Sequence, residues 1–323
     1  MKSIVCLHSL TPEQVGQIKQ AAPGYDLIVK NKKELSAEQV QNAEVLLGWS
    51  KTIVEDALLA TSKLKWVQTW SAGVDTLPLE RLRDKGVLLT SASGVHAIPI
   101  SESIIGMMLS FSRQLHMAVR HQLKKEWKSD LSVPGLATLG EISGKTLVIV
   151  GVGEIGRETA RLAKAFGMRV IGVRRSDQPE PHVDRMYTMD GLHEALGQGD
   201  YIVNILPLTA ETRRIFNAAA WNATKEGAYF FNVGRGPTVD TDALMDALKS
   251  GRLSGAGLDV FEAEPLPADH PLWDMEQVII TPHVAGSNDR YTERVIDIFT
   301  ENLKSYAQGQ KPPRNLVDYG RMY

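Results

Sequence analysis

The sequence predicts an α/β protein with two parallel-sheet domains, and three observations carry that expectation. The chain has 323 residues, a length that fits two domains better than one. Short apolar runs alternate with amphipathic segments through most of it, which is the pattern of βα units joined by helical crossovers. The alternation is interrupted once, over 97–127, by a helical pattern of about 30 residues that reads as a bridge between two series of such units.

Taken in order, "SIVCL" reads as a strand. "TPEQVGQIKQAAPG" reads as a helix with Thr11 as cap, Pro12 in the first turn and Gly24 after its end. "DLIVK" is a second strand, and "AEQVQNAEVLLGWS" a helix running into a strand. "KLKWVQTWSAGVD" holds a strand that ends at Ser71-Ala72-Gly73, and "LERLRDKGVLLTSAS" repeats helix then strand. The bridge follows. "KSDLSVPGLATLGEISGK" reads as a loop rich in Gly, Ser and Pro. "KTLVIV" opens the second series, which runs to "QVIITPH". "DRYTERVIDIFTENLKSYAQG" is a last helix, and "KPPRNLVD" a closing segment that returns to the first domain.

Composition narrows the function classes. Hydrophobic residues make up 43% and charged residues 23%, as in ordinary globular proteins. Net charge is −2 with both signs spread along the chain, so there is no electrostatic footprint for nucleic acid or an anionic membrane. The one cysteine, Cys6, leaves no intrachain disulfide, fits a reducing compartment and reads as a buried small hydrophobe. "MKSIVCLHSL" is too short and too polar for a signal-peptide core. No window approaches about 18 uninterrupted apolar residues. The expectation is a soluble cytoplasmic protein.

The second series opens with a phosphate loop. "KTLVIVGVGEIGRETARLAKAFG" sets Gly151-x-Gly153-x-x-Gly156 between a strand and a helix. The first glycine permits a tight turn, the second lets backbone approach a pyrophosphate, and the third lets helix and strand pack closely. The helix N-terminus adds N–H groups and partial positive charge. This predicts a bound dinucleotide. The next strand, "MRVIGVRRSD", ends in Arg174-Arg175-Ser176, where a carboxylate for the ribose hydroxyls is usual in NAD-binding folds. Two guanidinium groups and a hydroxyl suit a 2′-phosphate. NADP is therefore expected, with NAD possible if Asp177 reaches the ribose.

Three later stretches place ionisable groups just past apolar strands. "AYFFNVGRGPTVD" carries Arg235, "GLDVFEAEPLP" carries Asp259 and Glu264, and "QVIITPHVAG" carries His283. In an open parallel sheet the binding crevice lies outside the carboxyl ends of the strands, so all of them are expected on the edge that holds the glycine loop. A histidine at a strand end reads alone as a hydrogen-bonded core residue. In this company it reads as a general acid/base. No cluster shows metal-ligand spacing, so no metal is expected.

"SAGVD", the glycine loop, "LPLTAET", "NVGRG", "LDVFEAEPLP" and "TPHVAG" occur in an order and spacing that resemble the D-isomer-specific 2-hydroxyacid dehydrogenase family, which includes glyoxylate/hydroxypyruvate reductases and phosphoglycerate dehydrogenases. The resemblance spans nearly the whole chain. It implies two Rossmann-like, doubly wound domains: a discontinuous, flavodoxin-like substrate domain over 1–97 plus 290–323, and a dinucleotide-binding domain over 98–289. It implies hydride transfer between a nicotinamide and C2 of a 2-oxo or 2-hydroxy acid. His283 would be the acid/base, Glu264 its hydrogen-bond partner, and Arg235 the group that holds the substrate carboxylate and polarises the C2 oxygen. The N–H groups of Ala72, Gly73 and Val74 would bind the carboxylate from the first domain, with Trp49 as a pocket wall. Asp259 would hold the nicotinamide carboxamide. Glu154, Ile155, Leu206, Pro207, Thr212, Val233, Gly234 and Ala285 would line the cofactor cleft. The methionine- and isoleucine-rich bridge resembles a homodimer contact.

The expected activity is an NADP-preferring reductase of a small 2-oxo acid of the glyoxylate or hydroxypyruvate type. Phosphite oxidation is a second enzymatic reading, since relatives with that activity resemble this chain in the same three residues. Formate oxidation fits less well, because that branch lacks the glutamate present here as Glu264. A reading of another class is a dinucleotide-sensing scaffold like the C-terminal binding protein corepressors, and the absence of a basic segment ranks it low.

Overall fold

A computed structural model of the chain describes residues 2–31, 33–74, 77–128 and 139–320. The chain divides into two compact units, one of residues 1–95 with 288–323 and the other of residues 96–287.

The first unit begins with β1 (Lys2–Cys6), α1 (Pro12–Ala21), β2 (Tyr25–Val29), α2 (Ala37–Asn42), β3 (Val45–Leu47), α3 (Val54–Leu58), β4 (Trp66–Gln68), α4 (Leu79–Asp84) and β5 (Leu88–Thr90). The strands form one parallel sheet in the order β2-β1-β3-β4-β5, the flavodoxin-like doubly wound order. Local chemistry starts the first two helices. Thr11 with Gln14, and Ser36 with Gln39, each close a reciprocal capping box that satisfies two otherwise orphaned donors. Period-two alternation then buries both sheet faces. Ile4, Cys6, Val45, Leu47 and Trp66 enter one core, while Val5, Leu46 and Val67 enter another. Burial pushes the Cys6 thiol up to about 11, so Cys6 behaves as the apolar residue its surroundings suggest.

The second unit holds α5 (Ala97–Ser112), α6 (Leu115–Leu123), β6 (Thr146–Val150), α7 (Glu154–Ala165), β7 (Arg169–Val173), β8 (Arg185–Tyr187), α8 (Leu192–Leu196), β9 (Tyr201–Asn204), α9 (Ala218–Ala223), β10 (Ala228–Asn232), α10 (Thr241–Lys249), β11 (Leu253–Leu258) and β12 (Val278–Ile280). Its seven strands are all parallel, in the order β12-β11-β10-β9-β6-β7-β8. The chain runs outward from β6 to β8, then crosses back to β9 and runs the other way. The strand order therefore reverses between β6 and β9, the position where open α/β sheets bind ligands. After this unit, α11 (Tyr291–Ala307) rejoins the first one. Its Val295, Ile296, Phe299 and Leu303 lie in the same core as Trp66. The closing segment is tied to β5 by the Val317 N–H, which donates to the Leu89 carbonyl at 2.8 Å, and by an antiparallel bridge between Thr90 and Leu316.

The bridge expected as one helix over 97–127 is two helices. Gln114 sits at φ 53 in the left-handed region, and its N–H turns to the Phe111 carbonyl. The Ser110 carbonyl, which a continuous helix would pair with Gln114, is taken instead by His116 Nδ1 at 3.0 Å. Ser110 and Ser112 also bond back to the carbonyls of Gly106 and Leu109, which weakens a helix end. Most of the bridge's methionine and isoleucine is spent inside the chain, with Ile104, Ile105, Met107 and Met108 all in the core of the second unit. The expected Gly/Ser/Pro-rich loop lies mostly outside the described residues, as does Asp75 of "SAGVD".

Candidate active site

β10, β11 and β12 are adjacent and parallel, so the loops that leave them emerge on one edge. Those loops carry Arg235, Asp259 with Glu264, and His283. The glycine loop after β6 leaves the same edge, two strands along from β10.

His283 and Glu264 are paired. His283 Nδ1 lies 2.7 Å from Glu264 Oε2, which leaves Nε2 as the ring nitrogen facing away from the carboxylate. The other carboxylate oxygen, Oε1, accepts from the Phe261 N–H at 2.9 Å. Burial raises the Glu264 carboxyl. The bonds from His283 and Phe261, with the charges of His283 and Arg235, outweigh that and hold it below its ordinary value. An ionised Glu264 fixes the imidazole with a proton on Nδ1.

The loop under His283 is organised by Asp259, which is buried. Its Oδ1 accepts from the Thr281 hydroxyl at 2.6 Å and the Val284 N–H at 2.9 Å, and its Oδ2 accepts from the Ala285 N–H at 3.1 Å. Its carbonyl accepts from the His283 N–H at 2.9 Å. His283 itself has φ 54, a left-handed conformation costly for a non-glycine residue. The bonds on both sides of it hold that conformation. Asp259 thus anchors the histidine loop, a role its position in the sequence does not announce.

Arg235 is exposed and donates from Nη1 to the Gly234 carbonyl at 2.8 Å. Its neighbours are glycines because other loops press on them. A Cβ at Gly234 would stand 2.6 Å from the Leu206 carbonyl oxygen, and one at Gly236 would stand 1.9 Å from the Phe261 carbonyl. A buried polar set beneath them was not foreseen. Asn204 Nδ2 donates to Asn232 Oδ1 at 2.9 Å and to Thr238 Oγ1 at 2.7 Å. Thr238 Oγ1 donates to the Arg235 carbonyl at 2.6 Å, and the Leu206 N–H donates to Asn204 Oδ1 at 3.1 Å. The available signal was that "YIVN" and "YFFN" are apolar strands that each end in asparagine.

The glycine loop fits a dinucleotide. Gly151 has φ 106, and a Cβ there would meet Ile205 at 3.0 Å; a Cβ at Gly156 would meet the Gly151 carbonyl oxygen at 2.7 Å. A Cβ at Gly153 would meet nothing within 4 Å, which is the open side a pyrophosphate needs. The N-terminus of α7, at Glu154 and Ile155, has no side-chain cap, so its N–H groups remain for phosphate. Leu206, Val233, Gly234 and Ala285 are buried around this edge. Thr212 Oγ1 donates to the Pro207 carbonyl at 2.7 Å and so shapes the loop.

The ribose-end arginines differ from each other. Arg174 is turned into its own loop, donating from Nε to the Ser176 carbonyl at 3.1 Å and from Nη2 to the Gln178 carbonyl at 3.0 Å, with Nη1 on Glu180. This departs from the expected pair of phosphate ligands, because nearby carbonyls and a carboxylate engage the Arg174 fork on three sides. Arg175, Ser176 and Asp177 are exposed.

In the first unit, the N–H groups of Ala72, Gly73 and Val74 donate to no other described residue. Their loop is braced by Thr69 Oγ1 on the Ser71 carbonyl at 2.6 Å and Ser71 Oγ on the Gly73 carbonyl at 2.7 Å. Beside it lies a cavity of about 260 Å³ lined by His8, Trp49, Thr69, Trp70, Ser71, Leu77 and Tyr291. Burial lowers the His8 pKa, and its ring stacks on Trp70 at 3.9 Å. Trp49 Nε1 is buried and has no partner among the described residues. Among the described residues no metal-holding cluster is present and no helix is long and apolar enough to cross a membrane.

Comparison with known proteins agrees with this geometry. Residues 105–285 match the family described as D-isomer specific 2-hydroxyacid dehydrogenase, NAD binding domain. The chain is 34% identical over 286 residues to glyoxylate/hydroxypyruvate reductase B of Citrobacter koseri, covering 88% of this chain and 87% of that one. A solved D-isomer specific 2-hydroxyacid dehydrogenase family protein from Aeromonas salmonicida is 33% identical, covers 98% of this chain and 99% of its own, and superposes with a TM-score of 0.80. The NADPH-dependent glyoxylate/hydroxypyruvate reductase of Sinorhizobium meliloti, in complex with NADP and sulfate, is 29% identical over the full length of both chains, with a TM-score of 0.74. The chain belongs to the D-isomer specific 2-hydroxyacid dehydrogenase family.

Proposed function

We propose that the protein is an NADP-preferring reductase that converts a small 2-oxo acid of the glyoxylate or hydroxypyruvate type into its D-2-hydroxy acid. The observation that carries the proposal is the His283–Glu264 pair at 2.7 Å, on the same sheet edge as Arg235 and the open glycine loop. Support for the substrate comes from the Citrobacter relative, and for NADP from the Sinorhizobium one and the exposed Arg175 and Ser176.

When bound, a reduced nicotinamide would supply a hydride for C2. The chain's own residues manage charge and protons around that event. Arg235 draws electron density onto the carbonyl oxygen and pairs with the substrate carboxylate. His283 gives its Nε2 proton to that oxygen as C2 becomes tetrahedral, and takes it back in the reverse direction. Glu264 accepts from Nδ1 and so keeps Nε2 aimed. Ala72, Gly73 and Val74 offer N–H groups to the carboxylate. Trp49 walls the first-unit cavity beside that loop.

The test is a matched initial-rate assay that follows NADPH and NADH oxidation with glyoxylate, hydroxypyruvate, pyruvate and a bulky phenyl 2-oxo acid. Fast NADPH oxidation with a small acid is expected. Turnover with NADH alone would move ribose recognition to Asp177. Tight cofactor binding without turnover of any acid would point to phosphite oxidation or a sensing scaffold.

The reading includes a homodimer. Leu115, Val119 and Leu123 recur every fourth residue on α6, where each is exposed, and Trp127 just beyond is fully exposed. Among the described residues, such a stripe on a helix is an unpartnered packing face. Leu123→Glu is expected to shift the mass measured by light scattering at micromolar concentration from dimer to monomer. A wild type that is monomeric there would remove the proposal.

A further inference from the structure

Glu180 is used by no step above, yet only 8% of its side chain is exposed and two arginines converge on it. It lies on the loop after β7. Arg157, in the first turn of α7 behind the glycine loop, grips it with both arms: Nε to Oε2 at 2.8 Å and Nη2 to Oε1 at 2.8 Å. Arg157 also holds Glu154 through Nη1 at 2.6 Å. Arg174 shares Glu180 Oε1 and binds the carbonyls of Ser176 and Gln178 with its remaining faces. The bonds from Arg157, against the opposing push of burial, and then those from Arg174 hold the Glu180 carboxyl down at about 2. Glu180 is therefore an anion at any working pH. In formal charge, Glu154 and Glu180 cancel Arg157 and Arg174. The cluster beside the ribose end is neutral, although the sequence there reads as basic.

We infer that Glu180 is a positioning residue that sets cofactor selectivity through Arg174: it is an internal anion that holds the guanidinium on its own loop and limits the preference for a 2′-phosphorylated dinucleotide. This rests on the NADP reading proposed above. A 2′-phosphate and the Glu180 carboxylate compete for one guanidinium fork, and the carboxylate is attached to the loop. Arg175 and Ser176, which are exposed, then meet the phosphate without the second fork. A purely structural Glu180 would affect NADPH and NADH alike, because both carry the same adenosine and pyrophosphate.

The experiment measures Kd for NADPH and NADH by fluorescence titration in wild type, Glu180→Gln, Arg174→Gln and the double variant, and needs no knowledge of the substrate. Glu180→Gln is expected to tighten NADPH about three- to tenfold, the net effect of one added hydrogen bond. It should leave NADH unchanged and lose its effect in the Arg174→Gln background. Unchanged or weaker NADPH binding, parallel shifts for both cofactors, or an effect that persists without Arg174 would overturn the inference. If Glu180→Gln does not fold, Glu180→Asp shortens the arm by one methylene, so the carboxylate no longer spans both arginines. The same selective tightening is then expected to a smaller extent, and its absence counts against the inference. The wild-type ratio of the two Kd values judges the NADP reading separately. A wild type that prefers NADH, with Glu180→Gln moving towards NADPH, would sink that reading and keep the role of Glu180.

Discussion

Replacing His283 by alanine is expected to leave a folded protein that binds its nicotinamide cofactor and to lower kcat about 10³-fold, the middle of the range for losing a general acid/base. Folding should survive because the His283 side chain is about half exposed and contributes little burial. The loop conformation should survive because Asp259 holds it through the backbone of residues 283–285 and the Thr281 hydroxyl, none of which the substitution removes. Cofactor Kd, far-ultraviolet circular dichroism and kcat with the best small 2-oxo acid are the three measurements. The expected pattern is two unchanged and one collapsed. Near-normal turnover would remove His283 from the proton path. Loss of cofactor binding would show that the imidazole supports the loop rather than the chemistry. Glu264→Gln should fall between this variant and wild type, since an amide can still accept from Nδ1 but without the charge that strengthens that bond.

Gly236→Ala is expected to cost both stability and activity, although it adds only a methyl group and touches no reacting atom. The added Cβ would lie 1.9 Å from the carbonyl carbon and oxygen of Phe261 and 2.5 Å from the Glu262 nitrogen. These are backbone atoms, so no side-chain rotation relieves the clash. The two loops must separate. One carries Arg235, and the other holds Glu264 through the Phe261 N–H. Overpacking of this kind costs about 1–3 kcal/mol, roughly 2–12 °C in Tm for a unit of this size. Displacing a positioned group by an ångström costs about 10² in rate. A thermal melt and kcat/KM for Gly236→Ala check both parts. A variant with wild-type Tm and activity would mean that the loops of Arg235 and Glu264 are not in contact at this glycine.

Much of the architecture was legible in the sequence because it is written in short-range chemistry. Thr11 with Gln14 and Ser36 with Gln39 cap their helices within four residues. The period-two runs of β1, β3 and β4 specify two buried faces without reference to anything distant. Gly151, Gly153 and Gly156 announce a phosphate turn within six positions. The parallel βα pattern, in turn, places Arg235, Glu264 and His283 on one edge before any distance is known, since the ends of adjacent parallel strands share an edge.

What only the tertiary structure decided involves partners far apart in the chain. The bridge breaks at Gln114 because His116 folds back onto the Ser110 carbonyl, a competition that helical periodicity does not register. Asp259 is the anchor of the histidine loop, through bonds to residues 22–26 positions away. Asn204, Asn232 and Thr238 meet only when β9 and β10 lie side by side. Arg174 reads as a phosphate ligand in a string of letters, and Glu180 with Arg157 makes it a member of a neutral cluster. The sequence by itself determined which groups are present, which strands carry them and on which edge they emerge, because steric and capping preferences act within a few residues. Which of those groups are already engaged by one another was decided by non-local hydrogen bonds and close backbone approach, which exist only once the sheet has formed.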